Sequence, residues 1–181
     1  MQRLTAVDPA AADPKARQLL DGVAKALGMT PNMFKTMAAS PALLDAYVGF
    51  NKALSAGKLS PKVREQIALT LAGANGCDYC ASAHTLLGKH AGVAAEDLLA
   101  GLRGHAHDPK VEAALQFAQA VNRTKGQVSD DEIARVRAAG YDDGEIAEIV
   151  GHVALNVLTN SFNNVAATEI DFPVVHTKAA A

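Results

Sequence analysis

The chain contains no tryptophan, and aromatic residues together make up only 4% of its 181 positions. A core built on large rings is excluded, so the apolar 49% must pack through Ala, Leu, Val and Ile. Small side chains let helix backbones approach closely, which favours helix-on-helix packing. No run of roughly 18 apolar residues is present to span a membrane. A basic surplus is missing as well, since 17 Lys and Arg face 19 Asp and Glu for a net charge of -2. The cations are scattered, leaving no basic face for nucleic acid or an anionic membrane surface. The opening residues MQRLTAVDPAAADPKARQ hold two Asp-Pro steps and no apolar segment, unlike a secretory leader. We therefore expect a cytoplasmic protein of one domain, residues 1–181, with no membrane or nucleic-acid partner. Cysteine is scarce too: Cys77 and Cys80 are the only two. A bridge from i to i+3 closes almost no loop, so a structural staple is a poor explanation. CxxC in such a chain points to metal or redox chemistry.

What is present reads as helices. Asp13-Pro14 opens an Ala-rich stretch to Leu27, closed by Gly28. A turn at Thr30-Pro31-Asn32 follows. Ser40-Pro41 then opens a helix to about Gly57, and Ser60-Pro61 opens another that closes at Gly73–Gly76. Within it Val63, Ile67 and Leu71 recur four apart and predict a buried stripe. Further helices are expected over about 78–90, 95–102 and 109–122, after the Ser129 cap, and from about Asp142 to Ala167. No alternation suited to a sheet, low-complexity linker or heptad run is found. The expectation is an all-α bundle of about seven to eight helices, with the CxxC motif at a helix N-terminus. The tail from about 168 to 181 is short, extended and apolar through Ile170, Phe172, Val174 and Val175. It should pack back on its own domain or dock on a neighbouring subunit.

The spacing of a few residues carries the chemistry. Cys77 and Cys80 are i and i+3, and Cys80 and His84 are i and i+4, so on one helix all three share a face. The first turn of a helix, with its free N–H groups, favours a thiolate. His84 is then placed to take a proton from Cys80 or to stabilise its anion. A thiolate can cleave a peroxide, and a second cysteine can condense with the resulting sulfenic acid. If the turn at Gly73–Gly76 folds the two helices back, His84 lies about 10–12 Å from the turn and Glu65 about 12–16 Å from it. Glu65, His84 and Cys80 would then line up as a proton relay.

The string Glu65, eleven residues, CxxC, three residues and His84 resembles the motif of the alkylhydroperoxidase D family, within the carboxymuconolactone decarboxylase-like superfamily. Arg64, the ASAH run after Cys80, the Asn-rich LTNSFNNVA and the DFP tail are similar to the peroxidase-related branch. The resemblance implies an all-helical fold assembled as a homotrimer or homohexamer. It also implies hydroperoxide reduction with no cofactor and no metal, with Cys80 attacking, Cys77 resolving, and His84 and Glu65 as relay. The expected partner is a thiol or lipoyl-type reductant protein. One departure is Tyr79, where family members often carry a histidine just before the second cysteine. A phenol can donate a hydrogen bond but is a poor base at neutral pH.

Competing readings belong beside this one. Cys77, Cys80 and His84, with His90, His105, His107 or Glu65 as a fourth ligand, form a zinc set, yet no second paired ligand segment exists. A non-catalytic thiol sensor or metal-binding module is the alternative function. A thioredoxin-like site needs a βαβ context that this chain lacks, and decarboxylases of the superfamily do not rely on CxxC. Glu65 read alone is a surface charge paired with Arg64 or Lys62. His152 reads as a core histidine, and His105, His107 and His176 as solvated. Asn156, Asn160, Asn163 and Asn164 read as capping or interface groups as readily as chemical ones.

Overall fold

The structure is a computed structural model that describes residues 1–178, so the last three residues of the expected tail lie outside the described residues. After a single 3₁₀ turn at Pro9–Ala11 come α1 (Pro14–Leu27), α2 (Asn32–Met37), α3 (Pro41–Ser55), α4 (Pro61–Asn75) and α5 (Asp78–His90). They are followed by α6 (Ala95–Gly101), α7 (Pro109–Thr124), α8 (Asp130–Ala138) and α9 (Asp143–Ala166). The described residues contain no strand, and the all-α expectation holds.

Local chemistry explains most helix starts. Proline occupies the first turn of α1, α3, α4 and α7, where its missing N–H costs nothing. Asp13, Ser40, Ser60 and Asp108 each cap the same helices by accepting a first-turn N–H. Both α8 and α9 open on full capping boxes, Ser129 with Glu132 and Asp142 with Glu145.

One helix was not anticipated. Residues 30–32 read as a turn, yet α2 starts at Asn32, which brings the helices to nine among the described residues. Its N-cap, Pro31, offers no side-chain bond. Asp171 of the tail supplies it instead, accepting the Asn32 N–H at 2.8 Å. Six residues are too few for a periodic signature, and burial of Met33, Phe34, Thr36 and Met37 holds the turn of helix in place.

α4 lies at the centre, with α5, α6, α7 and α9 packed around it. Residues 66–72 are buried without a break, so this helix divides two core clusters instead of covering one. Leu69 and Ala72 join Leu20, Met37, Leu44 and both cysteines on one side. Ile67 and Leu71, from the expected stripe, join Leu115, Ile149 and Val153 on the other. Each fully buried aliphatic side chain contributes about 1.5–3 kcal/mol. Close approach is part of this design: a Cβ on Gly73 would collide with the Leu102 carbonyl.

The tail packs back on its own chain. Ile170, Phe172 and Val175 rest against the first cluster, while Val174 stays exposed.

Candidate functional site

The site is organised by a two-residue connection. Gly76 takes φ 63°, a left-handed conformation that favours glycine, at the end of α4. Its N–H bonds to the Gly73 carbonyl at 3.3 Å and the Cys77 N–H to the Ala72 carbonyl at 3.0 Å, the Schellman pattern. Cys77 thus closes α4 and at once serves as N-cap of α5, where its sulfur accepts the Cys80 N–H at 3.2 Å. No slack remains, and α4 and α5 return against each other in a single register.

That register brings Glu65 and His84 together. The Glu65 Oε2 and His84 Nδ1 atoms lie 2.7 Å apart, with both side chains about four-fifths buried (22% and 23% exposed). A carboxylate on Nδ1 holds the proton there and leaves Nε2 as the basic nitrogen. Arg64 does not compete for Glu65, since its guanidinium donates to the Ser55 and Leu59 carbonyls at 3.0 Å each. Tyr47 of α3 is buried nearby; burial first, and then the Glu65 charge, push its hydroxyl well above the usual phenol range.

Cys77 and Cys80 form a disulfide with Cα atoms 5.3 Å apart. Both are enclosed, at 0% and 2% exposure. Cys80 Sγ also accepts a hydrogen bond from the Asn163 side-chain amide of α9, at 3.4 Å. Asn163 is one of a buried polar row on α9 with His152, Asn156, Thr159 and Asn160. Asn160 accepts from Asn75, and Asn75 in turn accepts from Asn122 through its side chain and from Asn164 through its carbonyl. The last residue of α4 is thereby tied to α7 and α9 just ahead of the cysteines. His152 of the same row is pushed down to about 4, chiefly by burial and then by the Arg64 charge. It is neutral near pH 7, and its Nε2 has no hydrogen-bond partner.

Tyr79 is fully employed elsewhere. Its hydroxyl accepts from the Met33 N–H at 3.1 Å and donates to Asp171 at 2.9 Å, while its ring meets Phe172 edge-on. Burial foremost, with Asp171 adding to it, drives its pKa far up, which removes it as a base. Asp78 binds the tail: it accepts from the Thr177 N–H and hydroxyl and pairs with His176 at 2.7 Å. His176, His105 and His107 are exposed as expected, though each pairs with a carboxylate, Asp78, Glu112 and Asp97 respectively. His90 is exposed at the far end of α5. The zinc set does not assemble: among the described residues no group of three or more His, Cys, Asp or Glu side chains is gathered around a common point.

Of the four expected site residues, Glu65 and His84 meet across the α4–α5 hairpin, and Cys77 and Cys80 are bonded at its turn. Asn163, Tyr47 and the Asp171 brace on Tyr79 were not singled out for the site. The recurrence of asparagine on α9 was the available signal for the first; nothing local marked the others.

An all-helical fold with a cysteine pair at a helix start has counterparts among known proteins. Residues 41–123 match the model of the carboxymuconolactone decarboxylase family. A solved structure described as an alkylhydroperoxidase core, an uncharacterized peroxidase-related protein from Ralstonia eutropha JMP134, is 25% identical with a TM-score of 0.83. That alignment covers 94% of this chain and 92% of the other. The similarity to that family spans residues 41–123, which include Glu65, Cys77, Cys80 and His84, and the fold as a whole is similar to the alkylhydroperoxidase core. Two further structures share the fold. One is an uncharacterized peroxidase-related protein from Silicibacter sp. TM1040, at 23% identity and TM-score 0.78 over 93% of this chain and 92% of that one. The other is the debrominase Bmp8, as a cysteine-to-alanine variant in complex with 2,3,4-tribromopyrrole, at 23% identity and TM-score 0.79 over 99% and 96%. No curated protein matches the chain. Among the described residues no helix is long and apolar enough to cross a membrane.

Proposed function

We propose that this protein is a cysteine-based peroxidase that reduces hydroperoxides through a Cys77–Cys80 dithiol/disulfide cycle. The observation that carries this reading is the 2.7 Å Glu65–His84 contact one helical turn from a bonded CxxC pair. In the reduced enzyme His84 takes the Cys80 proton, and Glu65 stabilises the imidazolium that results. The Cys80 thiolate attacks a peroxide oxygen; the S–O bond forms, the O–O bond breaks, and the alkoxide leaves as an alcohol with the proton from His84. Cys77 then attacks the Cys80 sulfenic acid, forming the S–S bond and releasing water. A dithiol reductant, of thiol or lipoyl type, returns two electrons and two protons. The whole chain acts as one domain, in a cytoplasmic homotrimer or homohexamer whose mass sedimentation equilibrium would report.

Peroxide consumption by pre-reduced protein tests the cycle. Cys80→Ser should abolish stoichiometric consumption, and Cys77→Ser should allow one turnover and trap an oxidised Cys80. Undiminished consumption by both variants would refute the assignment, and a wild type that oxidises once without turning over on added dithiol would indicate a sensor. A second reading, reductive debromination, is favoured by the fold shared with Bmp8. In that reaction the carbon–bromine bond breaks and bromide leaves, the carbon takes up a proton, and the dithiol loses two electrons and two protons as its S–S bond forms, the second proton passing to solvent. Bromide release from 2,3,4-tribromopyrrole in the same assay decides between substrates.

A further inference from the structure

Two sulfurs share one buried helix start, and something must decide which of them becomes the thiolate. The helix itself favours Cys77, whose Sγ takes the N-cap position and accepts the Cys80 backbone N–H at 3.2 Å. Burial raises the pKa of any thiol by penalising the anion, and both residues are enclosed. Cys80 therefore needs a donor of its own to serve as nucleophile. A donor to its sulfur is the Asn163 side-chain amide at 3.4 Å, reaching across from α9. Asn163 is itself buried, 3% exposed, and its Oδ1 has no hydrogen-bond partner while the disulfide is closed.

We infer that Asn163 is a further catalytic residue of the thiol site, whose amide N–H stabilises the Cys80 thiolate and so directs peroxide attack to Cys80 rather than Cys77. The inference rests on the cysteine-peroxidase reading and adds a residue to it. An asparagine suits the whole cycle. The N–H serves the thiolate, and the unpartnered Oδ1 is an acceptor for the S–H of the resting thiol or the O–H of the sulfenic acid, neither of which exists in the disulfide. An apolar side chain would offer neither, and a carboxylate would repel the anion. The position is also held firmly, because the Asn163 carbonyl accepts the N–H groups of Ala167 and Thr168 where α9 ends.

The test isolates the sulfur from the turnover. In Cys77→Ser protein, where serine preserves an N-cap, Cys80 is the sole thiol, and its rate of alkylation by iodoacetamide is followed against pH. Charged and titratable groups on the surrounding elements, among them Glu65 and Arg64 of α4, Asp78, Tyr79 and His84 of α5, Tyr47 of α3, His152 and Glu148 of α9 and Asp171 of the tail, are left unaltered. Adding Asn163→Ala should move the half-maximal pH upward by about one unit, and Asn163→Asp further still. Asn160→Ala, which removes a neighbour in the same buried row bonded to Asn75 and not to sulfur, should leave the profile in place. In dithiol protein, Asn163→Ala should lower kcat/KM for peroxide about tenfold at pH 7, following the lost thiolate. Superimposable profiles for the unsubstituted, Asn163→Ala and Asn163→Asp proteins would overturn the inference, and so would an equal shift from Asn160→Ala. Should the alanine variant fail to fold, the near-isosteric Asn163→Asp decides alone. Because the titration uses no peroxide, a shifted profile in a protein that consumes none would refute the peroxidase reading and keep the donor to Cys80. Consumption with an unshifted profile would refute only the inference.

Discussion

Glu65 shows how much a single residue's meaning depends on its partner. In the sequence it is one carboxylate next to an arginine on an apolar helix, and a surface ion pair is an adequate account of it. In the structure Arg64 is taken by two backbone carbonyls, and Glu65 faces His84. The carboxylate orients the imidazole and neutralises the charge it gains on taking a proton. Glu65→Gln keeps the shape and one hydrogen bond but removes that charge. We expect kcat/KM for peroxide to fall about 10²-fold, the lower end of what a general base contributes, with KM little changed. Steady-state kinetics with a dithiol donor measures it, and an unaltered rate would exclude the relay. The His84 and cysteine spacing was legible because helical periodicity converts sequence separation directly into a shared face. Asn163 and Tyr47 were not, because they reach the site from helices far away in sequence.

At the scale of elements, capping chemistry made most helix starts readable, and α2 is an instructive exception. α2 borrows its cap from Asp171, 139 residues away, so no local pattern announces it. The same aspartate holds Tyr79, which stands between the cysteines and ties α5 to α2 and the tail. Tyr79 thus works as a brace and not as a base. Tyr79→Phe removes the bond to Asp171 and leaves the buried Met33 N–H without its acceptor. The expected cost is about 1–3 kcal/mol in global stability. Chemical denaturation should show it as a lower midpoint at unchanged slope, and a midpoint equal to that of the parent would mean the brace carries no load. The tail's apolar residues predicted burial without saying against what. Its polar bonds to Asp78, Ser82 and Asn32 fix it against its own chain.

Across the whole molecule, α4 is the shared wall of two cores, and the polar row of α9 passes along it beside the site. Burying a histidine there has a thermodynamic consequence. His152 is held down to about 4, by burial first, then by the positive charges of Arg64 and His84, against the opposing pull of Glu148 and Glu65. In the unfolded chain it takes up a proton below about pH 6.5, while the folded protein resists until about pH 4. The unfolded state binds the extra proton across that window, so stability falls as pH is lowered from about 6.5 to about 4 and levels off below it. The loss should be about 3 kcal/mol. His152→Gln removes the titration, and its melting temperature should decline less steeply over that window than the parent's. Parallel curves would mean that His152 does not control the acid limb.

The amino-acid sequence by itself determined the all-helical class, most helix boundaries apart from α2, and the placing of Cys77, Cys80 and His84 along the start of α5. Composition, capping pairs and 3.6-residue periodicity act over a few residues, and their effects are therefore written locally. Only the tertiary structure decided that Glu65 meets His84, that Asn163 reaches Cys80, and that Tyr79 is bound to Asp171. Those contacts depend on the register of a two-residue connection and on packing between helices distant in sequence. A rotation of one residue, about 100° around a helix, would undo each of them without altering any local signal.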